Sequence, residues 1–181
     1  MKDRILATLA FTSLVGLAPF SLSAQNTAEG ISRARVATPI SVAEADNLSF
    51  GALALLPNQS GTVTVHPSRE PTTFEGAIQA TCGTSHYCMS HPARFDIRGE
   101  QGMTYRVTLP SRLTAIGRST GQTLTIRSLV ASSLSAPSRP MGGQLSDMGQ
   151  DQLSVGGTLV VPIGTREDIF EATFAIIVSY D

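Results

Sequence analysis

Apolar and polar residues alternate along the last twelve residues of the chain, FEATFAIIVSYD. Successive side chains of an extended strand point to opposite faces, so every second residue shares one face. One face of this segment is wholly apolar, and the other face is mixed. The pattern therefore predicts a C-terminal strand over 171–180 with one face that needs covering. The residues of that face are Phe170, Ala172, Phe174, Ile176, Val178 and Tyr180.

Comparable short runs recur along the chain, and no stretch after residue 24 shows sustained helical periodicity. Residues that favour turns separate most of these runs. The predicted strands are 36–42, 48–52, 61–65, 76–81, 93–98, 103–109, 122–130, 153–161 and 171–180. This spacing favours an all-β fold, an antiparallel β-sandwich. The Pro-, Gly- and Ser-rich stretch 132–149 is predicted to be a long loop, or a loop that contains a further short strand.

The first 24 residues have the pattern of a secretory signal peptide. Lys2 and Arg4 form a positive start, an apolar run follows to Phe20, and Ser23 and Ala24 supply small residues for cleavage. The apolar run is too short and interrupted for a membrane span. We therefore expect a signal peptide at 1–24, a polar N-terminal extension at 25–35 and a β-sandwich domain at 36–181. The mature chain would have no transmembrane segment and would lie in the periplasm, at the cell surface or outside the cell.

The number and distribution of charged residues argue against one class of partner. The chain has 13 basic and 14 acidic residues, a formal charge of −1, and one lysine, which lies in the predicted signal peptide. The arginines are scattered, apart from Arg33 and Arg35, so no basic stripe is present to neutralise phosphates. Nucleic acid is therefore not expected as a partner.

Two cysteines and two histidines lie together in the stretch CGTSHYCMSH: Cys82, His86, Cys88 and His91. Two thiolates and two imidazoles are a ligand set for tetrahedral zinc, and the neighbouring methionine would suit copper(I). In an exported chain with only two cysteines, a disulfide between Cys82 and Cys88 is the favoured alternative. Such a disulfide would remove both thiolates from the ligand set, so no cofactor is expected.

The sequence contains no recognisable catalytic motif. The spacing GxSxG occurs at 117–121, GRSTG, but no helix is predicted after it, as a nucleophile elbow requires. No glycine-rich phosphate loop lies between a predicted strand and a helix. The paired carboxylates of Glu44 and Asp46 lie in a polar segment that is typical of a solvated face. Gly156 and Gly157 lie within a predicted strand, where they indicate a bulge or a close backbone approach. We therefore do not expect an enzyme.

Several segments, taken in order, resemble one family of exported bacterial proteins. They are LSFGAL, GTVTV, FDIRGEQGMTYRVTLP, VGGTLVVP and FEATFAIIVSY, and they extend over about 36–180. The family is known as domain of unknown function 4402. The resemblance implies an immunoglobulin-like β-sandwich from a Gram-negative bacterium, similar to fimbrial subunits that a chaperone and an usher assemble. Tyr180 is similar to the penultimate tyrosine of such subunits.

The chain departs from this family pattern in two places. The glycine that usually precedes the last strand is replaced around Phe170 and Glu171. The stretch from Cys82 to Cys88 resembles a local insertion. The resemblance therefore implies no role for the cysteines or the histidines.

A bare strand without charge or proline, such as FAIIVSY, pairs readily with other strands. We therefore expect a sandwich that lacks one strand, completed in trans by donor-strand complementation in a fimbria-like surface structure. The partners would be other subunits, a periplasmic chaperone and an outer-membrane usher. The predicted assembly strand contains Phe174, Ile176, Val178 and Tyr180. The candidate donor residues are Val36, Ile40 and Val42, although Pro39 lacks an amide hydrogen for a ladder.

Two other hypotheses stay open at this point. In the first, residues 36–42 pair within their own chain, and the complete sandwich is a free-standing exported binding or coat module. In the second, the stretch from Cys82 to His91 binds a metal in a small periplasmic protein.

Overall fold

The computed structural model describes residues 31–68, 70–81 and 89–181. Contacts divide the chain after Arg35, and the fold below is that of Val36–Asp181. The predicted all-β class is confirmed, because the described residues form strands, turns and loops without a helix. No segment of the described part therefore qualifies as a helix able to cross a membrane. The strands are β1 (Ser41–Asp46), β2 (Leu53–Leu55), β3 (Gly61–Val65), β4 (Thr73–Gly76), β5 (Ile78–Ala80), β6 (Ala93–Arg98), β7 (Thr104–Thr108), β8 (Arg112–Gly117), β9 (Thr123–Ser133), β10 (Gly142–Gln144), β11 (Gln150–Val161), β12 (Phe170–Glu171) and β13 (Ile177–Tyr180).

The strands pair in antiparallel fashion into two main sheets and a small ribbon. The larger sheet has the order β1-β6-β11-β9-β8-β12. The long strand β11 pairs with β6 along its first half and with β3 along its second half, and β4 extends the sheet beyond β3. The second sheet has the order β10-β7-β13, while β2 pairs with β5. The family's immunoglobulin-like detail stays a prediction.

Apolar side chains from both sheets form one core. In β6 every second residue is buried, and these residues include Phe95 and Ile97. In β7 of the second sheet, Tyr105 and Val107 belong to the same core cluster. The two sheets therefore face each other, as a β-sandwich requires. Other buried members are Val63, Ala115, Leu124, Ile126, Leu153, Val155 and Leu159.

A polar network that is buried at Tyr105 and Ser133 and partly exposed at Asp151 joins the two sheets. The Asp151 carboxylate on β11 accepts hydrogen bonds from the hydroxyls of Tyr105, Ser133 and Ser135, at 2.5–2.7 Å. It also accepts hydrogen bonds from the backbone amides of Ser135 and Gln152. Tyr105 is fully buried, and burial, followed by the bond to Asp151, raises the pKa of its hydroxyl above the ordinary value. Tyr105 therefore remains a neutral donor that fixes β7 onto the larger sheet.

Gly156 and Gly157 of β11 lie at a bulge and at a close backbone approach, the two features that the sequence indicates. The register between β9 and β11 shifts between Gly156 and Thr158, and Ser128 in β9 has a positive φ of 55° at this bulge. A Cβ on Gly156 would overlap the carbonyl oxygen of Val65, where β3 passes close to β11. Any larger residue at Gly156 would therefore force the two strands apart.

Some predicted strand boundaries are wrong. The first strand is Ser41–Asp46 rather than 36–42, and its six residues are all exposed. Residues 48–52 form only an isolated bridge, between Ser49 and His91. Strands β2 and β8 lie in segments where none was predicted, and β4 overlaps the predicted strand 76–81 only at Gly76. The stretch 132–149 contains the end of β9 and the short strand β10, as the second of its two interpretations predicts.

Candidate functional site: the open edge beside the C-terminal strand

The C-terminal segment presents the apolar face that its alternation predicts. Every second residue from Phe170 to Tyr180 packs partly against the core, and the intervening residues are exposed. The ring of Phe174 meets the ring of Phe95 edge to face, with 6.2 Å between their centroids. All six residues of this face nevertheless keep intermediate exposure. The described part of the chain therefore covers this apolar face only in part.

The segment crosses from one sheet to the other. β12 pairs with β8 in the larger sheet, and β13 pairs with β7 in the second sheet. Residues 172–176 lie between these strands and make no backbone hydrogen bond to any other described residue. The prediction of one continuous strand over 171–180 is therefore wrong, because a change of sheet interrupts the ladder while the apolar alternation continues.

One edge of β13 has no partner within the described ranges. The amide of Asp181 donates to the carbonyl of Thr104 beside β7, at 3.2 Å. Bonding groups alternate in direction along an antiparallel strand, so the amides and carbonyls of Val178 and Tyr180 point away from β7. The run 172–180 contains neither charge nor proline. It therefore offers unprotected hydrogen-bonding groups to an added strand.

Strand β1 borders the same open side of the sandwich. On one side of β7, β10 contacts β9 and β11. Because β13 is on the other side of β7, it lies on the side of β6 that carries β1. Val42 and Glu44 of β1 are opposite the buried Ile97 and Phe95, so they project from the core face of the sheet. Both are exposed, and the sandwich is therefore open between β1 and β13.

The two strands at this opening differ in charge. β1 carries Glu44 on its core face and Asp46 at its end. Inward-pointing charges on an edge strand oppose the addition of another strand, because that addition would bury them. The run 172–180 carries no such charge. We therefore expect an added strand to pair along β13 rather than along β1.

The hydroxyl of Tyr180 ties the end of β13 to the segment before β1. It accepts a hydrogen bond from the amide of Glu100 and donates one to the carbonyl of Thr38, both at 2.6 Å. The amide of Thr38 donates to the Glu100 carboxylate at 3.0 Å. We call these three residues the Thr38 latch. Because both backbone groups of Thr38 are bonded, the latch fixes where the N-terminal segment leaves the sandwich.

Replacing Tyr180 by Phe is expected to lower the free energy of unfolding by about 1–2 kcal/mol, because two hydrogen bonds of the latch are lost. It should also speed amide exchange through Thr38 and β1. Urea denaturation and hydrogen exchange with mass spectrometry measure the two effects. Ser179→Ala is the control, since that side chain is exposed on the same strand. Unchanged exchange through β1 in Tyr180→Phe would show that the latch does not hold this segment.

The three candidate donor residues occupy different environments. Val36 is 95% exposed and outside any ladder of the described residues. Ile40 packs partly against the core of its own chain, and Val42 pairs with Ile97 in β6. A donor role for Val42 would require β1 to leave β6. Of the three candidate donor residues, Val36 alone is outside the core and the ladders of the described residues.

The cysteine and histidine stretch lies mostly outside the described residues. Three of its four predicted site residues are there: Cys82, His86 and Cys88. His91 is described, and its Nδ1 lies 3.7 Å from the Asp46 carboxylate. Its backbone exchanges two hydrogen bonds of 2.9 Å with Ser49. Within 31–68, 70–81 and 89–181, no group of three or more His, Cys, Asp or Glu is placed to hold a metal.

A surface cleft of about 870 Å³ lies beside His91. Its walls also include Phe50, Met89 and His66, whose Nδ1 lies 3.5 Å from the Glu70 carboxylate. No buried polar side-chain atom of the described residues lacks a hydrogen-bond partner. Since no unpartnered buried group points into the cleft, its residues do not select a class of ligand.

Sequence reasoning missed the Thr38 latch and the position of β1. Thr38 and Tyr180 are 142 residues apart, so no local pattern relates them. The phenol of Tyr180 is the one available signal, because a tyrosine at the end of an apolar strand needs a partner for its hydroxyl.

Comparison with known proteins identifies the family. No curated protein matches the chain, and no solved structure matches it. One family model, described as Domain of unknown function (DUF4402), matches residues 40–180. The match extends from the residue before β1 to the last residue of β13, so it includes the open edge. The resemblance noted in the sequence is thereby confirmed, and the chain belongs to the DUF4402 family.

Proposed function

We propose that this protein is a structural subunit of an exported bacterial assembly, in which a strand from another subunit pairs with the open edge of β13. The observation that supports the proposal is the character of the run 172–180. It is apolar on its core face, lacks charge and proline, and is unpaired along its outer edge among the described residues. Half-covered apolar side chains beside unpaired backbone groups promote association in water. A donated strand satisfies both at once.

The proposed assembly is linear. The donated segment precedes Thr38, whereas the accepting edge is β13, so donor and acceptor are different parts of each subunit. A head-to-tail contact of this kind builds an open chain when its rotation does not close a ring. The proposed product is a fimbria-like surface structure.

The proposal includes protection of the edge before assembly. An uncharged apolar edge tends to aggregate when it is exposed. A periplasmic chaperone that lends a strand, and an outer-membrane usher that exchanges it, are the partners that would solve this problem. The predicted signal peptide would bring the chain to them.

Deletion of residues 25–37 provides the test. The chain from Gln25 onward is expected to form linear polymers when concentrated, while the deleted chain stays a folded monomer because the Thr38 latch and β1 remain. A synthetic peptide of residues 25–37 should bind the deleted chain one to one and raise its melting temperature. Size-exclusion chromatography with light scattering measures the polymers, and a scrambled peptide is the control. A full chain that stays monomeric at millimolar concentration would contradict the proposal.

The β1–β6 ladder and the Thr38 latch favour a second candidate, a free-standing exported module. Both features hold residues 38–46 in their own chain. Amide exchange at high concentration distinguishes the candidates, because a free-standing module leaves the outward-facing amides of Val178 and Tyr180 exchanging as fast as they do in dilute solution. In a subunit that accepts a strand, these amides become protected only on assembly.

A further inference from the structure

Two arginines lie directly opposite each other on the outer face of the larger sheet. Arg112 of β8 pairs in register with Arg127 of β9, and both side chains are exposed. The adjacent residues Leu113 and Ile126 pack toward the core, so the arginines point away from it. Residues opposite each other in an antiparallel pair have Cβ atoms about 5 Å apart. We call these two residues the arginine pair.

Within the described part of the chain, neither member of the arginine pair has an anionic partner. Other arginines do have one. Arg106 and Arg139 bind the Asp181 carboxylate, and Arg118 binds Glu171. Like charges directly opposite each other destabilise a sheet, and a bound anion would relieve that repulsion. The formal charge of the whole chain is −1, so a general excess of basic residues does not explain the pair.

A row of threonines continues from Arg127 across the outer face. Its members lie opposite one another on β11, β3 and β4, and they are Thr158, Thr64 and Thr73. The hydroxyls of Thr64 and Thr158 share one hydrogen bond of 2.9 Å. Because a hydroxyl has one donor and two acceptor sites, both can bind a further partner. With strands about 4.8 Å apart, the row from Arg112 to Thr73 spans about 19 Å.

The charges around this row favour a ligand with one acidic group. Exposed Glu75 lies two residues along β4 from Thr73, on the same face, and would repel a second acidic group at that end. On the outer face of β6, Arg94 and Arg98 flank Asp96, so this strand adds only one net positive charge. Positive charge on the row is therefore concentrated at the arginine pair.

Two other classes of anionic partner fit the row less well. Tight binding of nucleic acid uses about six to ten phosphate contacts, and single strands also stack on aromatic side chains. Anionic membranes are bound by clusters of about four to eight basic residues. The row has two arginines, no aromatic residue and several hydroxyls. This composition fits a saccharide that carries one acidic sugar.

We propose that this row binds an acidic saccharide, with the carboxylate on the arginine pair and sugar hydroxyls on Thr158 and Thr64. A guanidinium group binds a carboxylate through two parallel N–H···O bonds, which a neutral sugar does not accept. The row lies on the outer face of the larger sheet, whereas the open edge belongs to β13 of the second sheet. The inference therefore goes beyond the proposed function and is independent of it.

A galactose oligosaccharide that ends in one galacturonic acid is the probe, and the same oligosaccharide ending in galactose is its neutral match. Isothermal titration calorimetry at low salt should show about tenfold tighter binding of the acidic one, because two exposed charge pairs each contribute about threefold. This preference should decrease as salt is added.

Arg112→Gln with Arg127→Gln tests the site, and Arg33→Gln with Arg166→Gln is a control with the same change in net charge. The control arginines are exposed and lie outside the row. The test variant should bind both oligosaccharides within about twofold of each other. Its melting temperature should equal or exceed that of the wild type, because the repulsion is gone. The control should keep the wild-type preference.

Thr158→Val keeps the β-branched shape and removes one hydroxyl of the row. It should weaken the binding of both oligosaccharides by about threefold, whereas Thr123→Val, at an exposed position of β9 outside the row, should not. Equal affinities in these two variants would overturn the role of the threonines.

The remaining outcomes decide the site and the class of ligand. Equal loss of the preference in both arginine variants would attribute binding to net charge and would overturn the site. Tighter binding of oligothymidylate or of phosphatidylglycerol vesicles than of the acidic oligosaccharide would overturn the class of ligand. No binding of the acidic oligosaccharide at millimolar concentration would overturn the whole inference.

Discussion

Replacing Asp151 by Ala is expected to lower the free energy of unfolding by about 2–3 kcal/mol, because buried hydroxyl donors lose their charged acceptor. The substitution leaves the hydroxyls of Tyr105 and Ser133 inside the sandwich without their shared acceptor. Small domains are stable by only about 5–15 kcal/mol, so this loss would be a large fraction of the total stability. The second sheet would loosen first, because Tyr105 is its polar link to β11. Urea denaturation followed by circular dichroism measures the effect.

Two variants serve as controls for Asp151→Ala. Asp151→Asn keeps the shape and one acceptor oxygen, so its loss should be smaller, about 1–2 kcal/mol. Asp96→Ala removes an exposed carboxylate from the adjacent strand β6 and should change stability by less than about 0.5 kcal/mol. A loss below about 1 kcal/mol in Asp151→Ala would show that the network does not hold the sheets together.

The alkaline pH dependence of stability reports on the same network. The pKa of Tyr105 is raised in the folded protein, so the folded state keeps the phenolic proton more tightly than the unfolded state. The stability that this provides is complete below the ordinary tyrosine pKa of about 10 and is lost as the pH rises further. In Tyr105→Phe, this alkaline loss should be reduced.

Strong alternation made much of the fold predictable from sequence. The predicted strands 61–65 and 93–98 coincide with β3 and β6, and in both strands every second residue is buried. These strands lie in the larger sheet, whose one face is the core and whose other face is polar. Period-two patterns arise from that environment. The prediction succeeded where a strand has one buried and one solvated face.

The strands that were missed lack this pattern for identifiable reasons. β10 is Gly-Gly-Gln, so its place beside β7 depends on backbone pairing rather than on side chains. All four residues of β4 are exposed. In β8, the exposed face includes Ile116 while the buried face has the small residues Ala115 and Gly117, so polarity does not mark the core side. Pairing partners define these three strands, and their own composition does not.

The sequence predicts which side chains form the apolar face of the candidate site, but it does not predict that one edge of β13 lacks a partner. The alternation from Phe170 to Tyr180 indicates which side chains need covering, and the structure shows them half covered. The change of sheet at 172–176 has no signal, because the apolar alternation continues across it. The position of β1 was also missed, because residues 36–42 are more apolar than SVAEAD, the sequence of β1, and were predicted as the strand instead. Long-range pairing, which local sequence does not encode, determines both features.

The direction of the backbone groups of β13 gives the sharpest test of the open edge. The amide of Val178 points away from β7, whereas the amide of Ser179 points toward Arg106 of β7. A methyl group on a backbone amide removes one donor and blocks the close approach of a strand on that side only. Methylation at Val178 therefore tests the proposed pairing with another subunit, and methylation at Ser179 tests the pairing of β13 with β7. Both N-methylated chains are accessible by ligating a synthetic C-terminal peptide.

The chain with N-methylated Val178 is expected to fold with nearly unchanged stability and to lose at least about tenfold in polymer mass, since one ladder bond is gone and its neighbours are held apart. The chain with N-methylated Ser179 should instead lose about 1–3 kcal/mol of folding stability, because its bond to β7 is broken. Thermal unfolding of dilute monomers and light scattering at high concentration measure the two effects separately. Polymers of normal mass from the Val178 chain would rule out strand addition at this edge, because the methyl group and an incoming strand would have to occupy the same space.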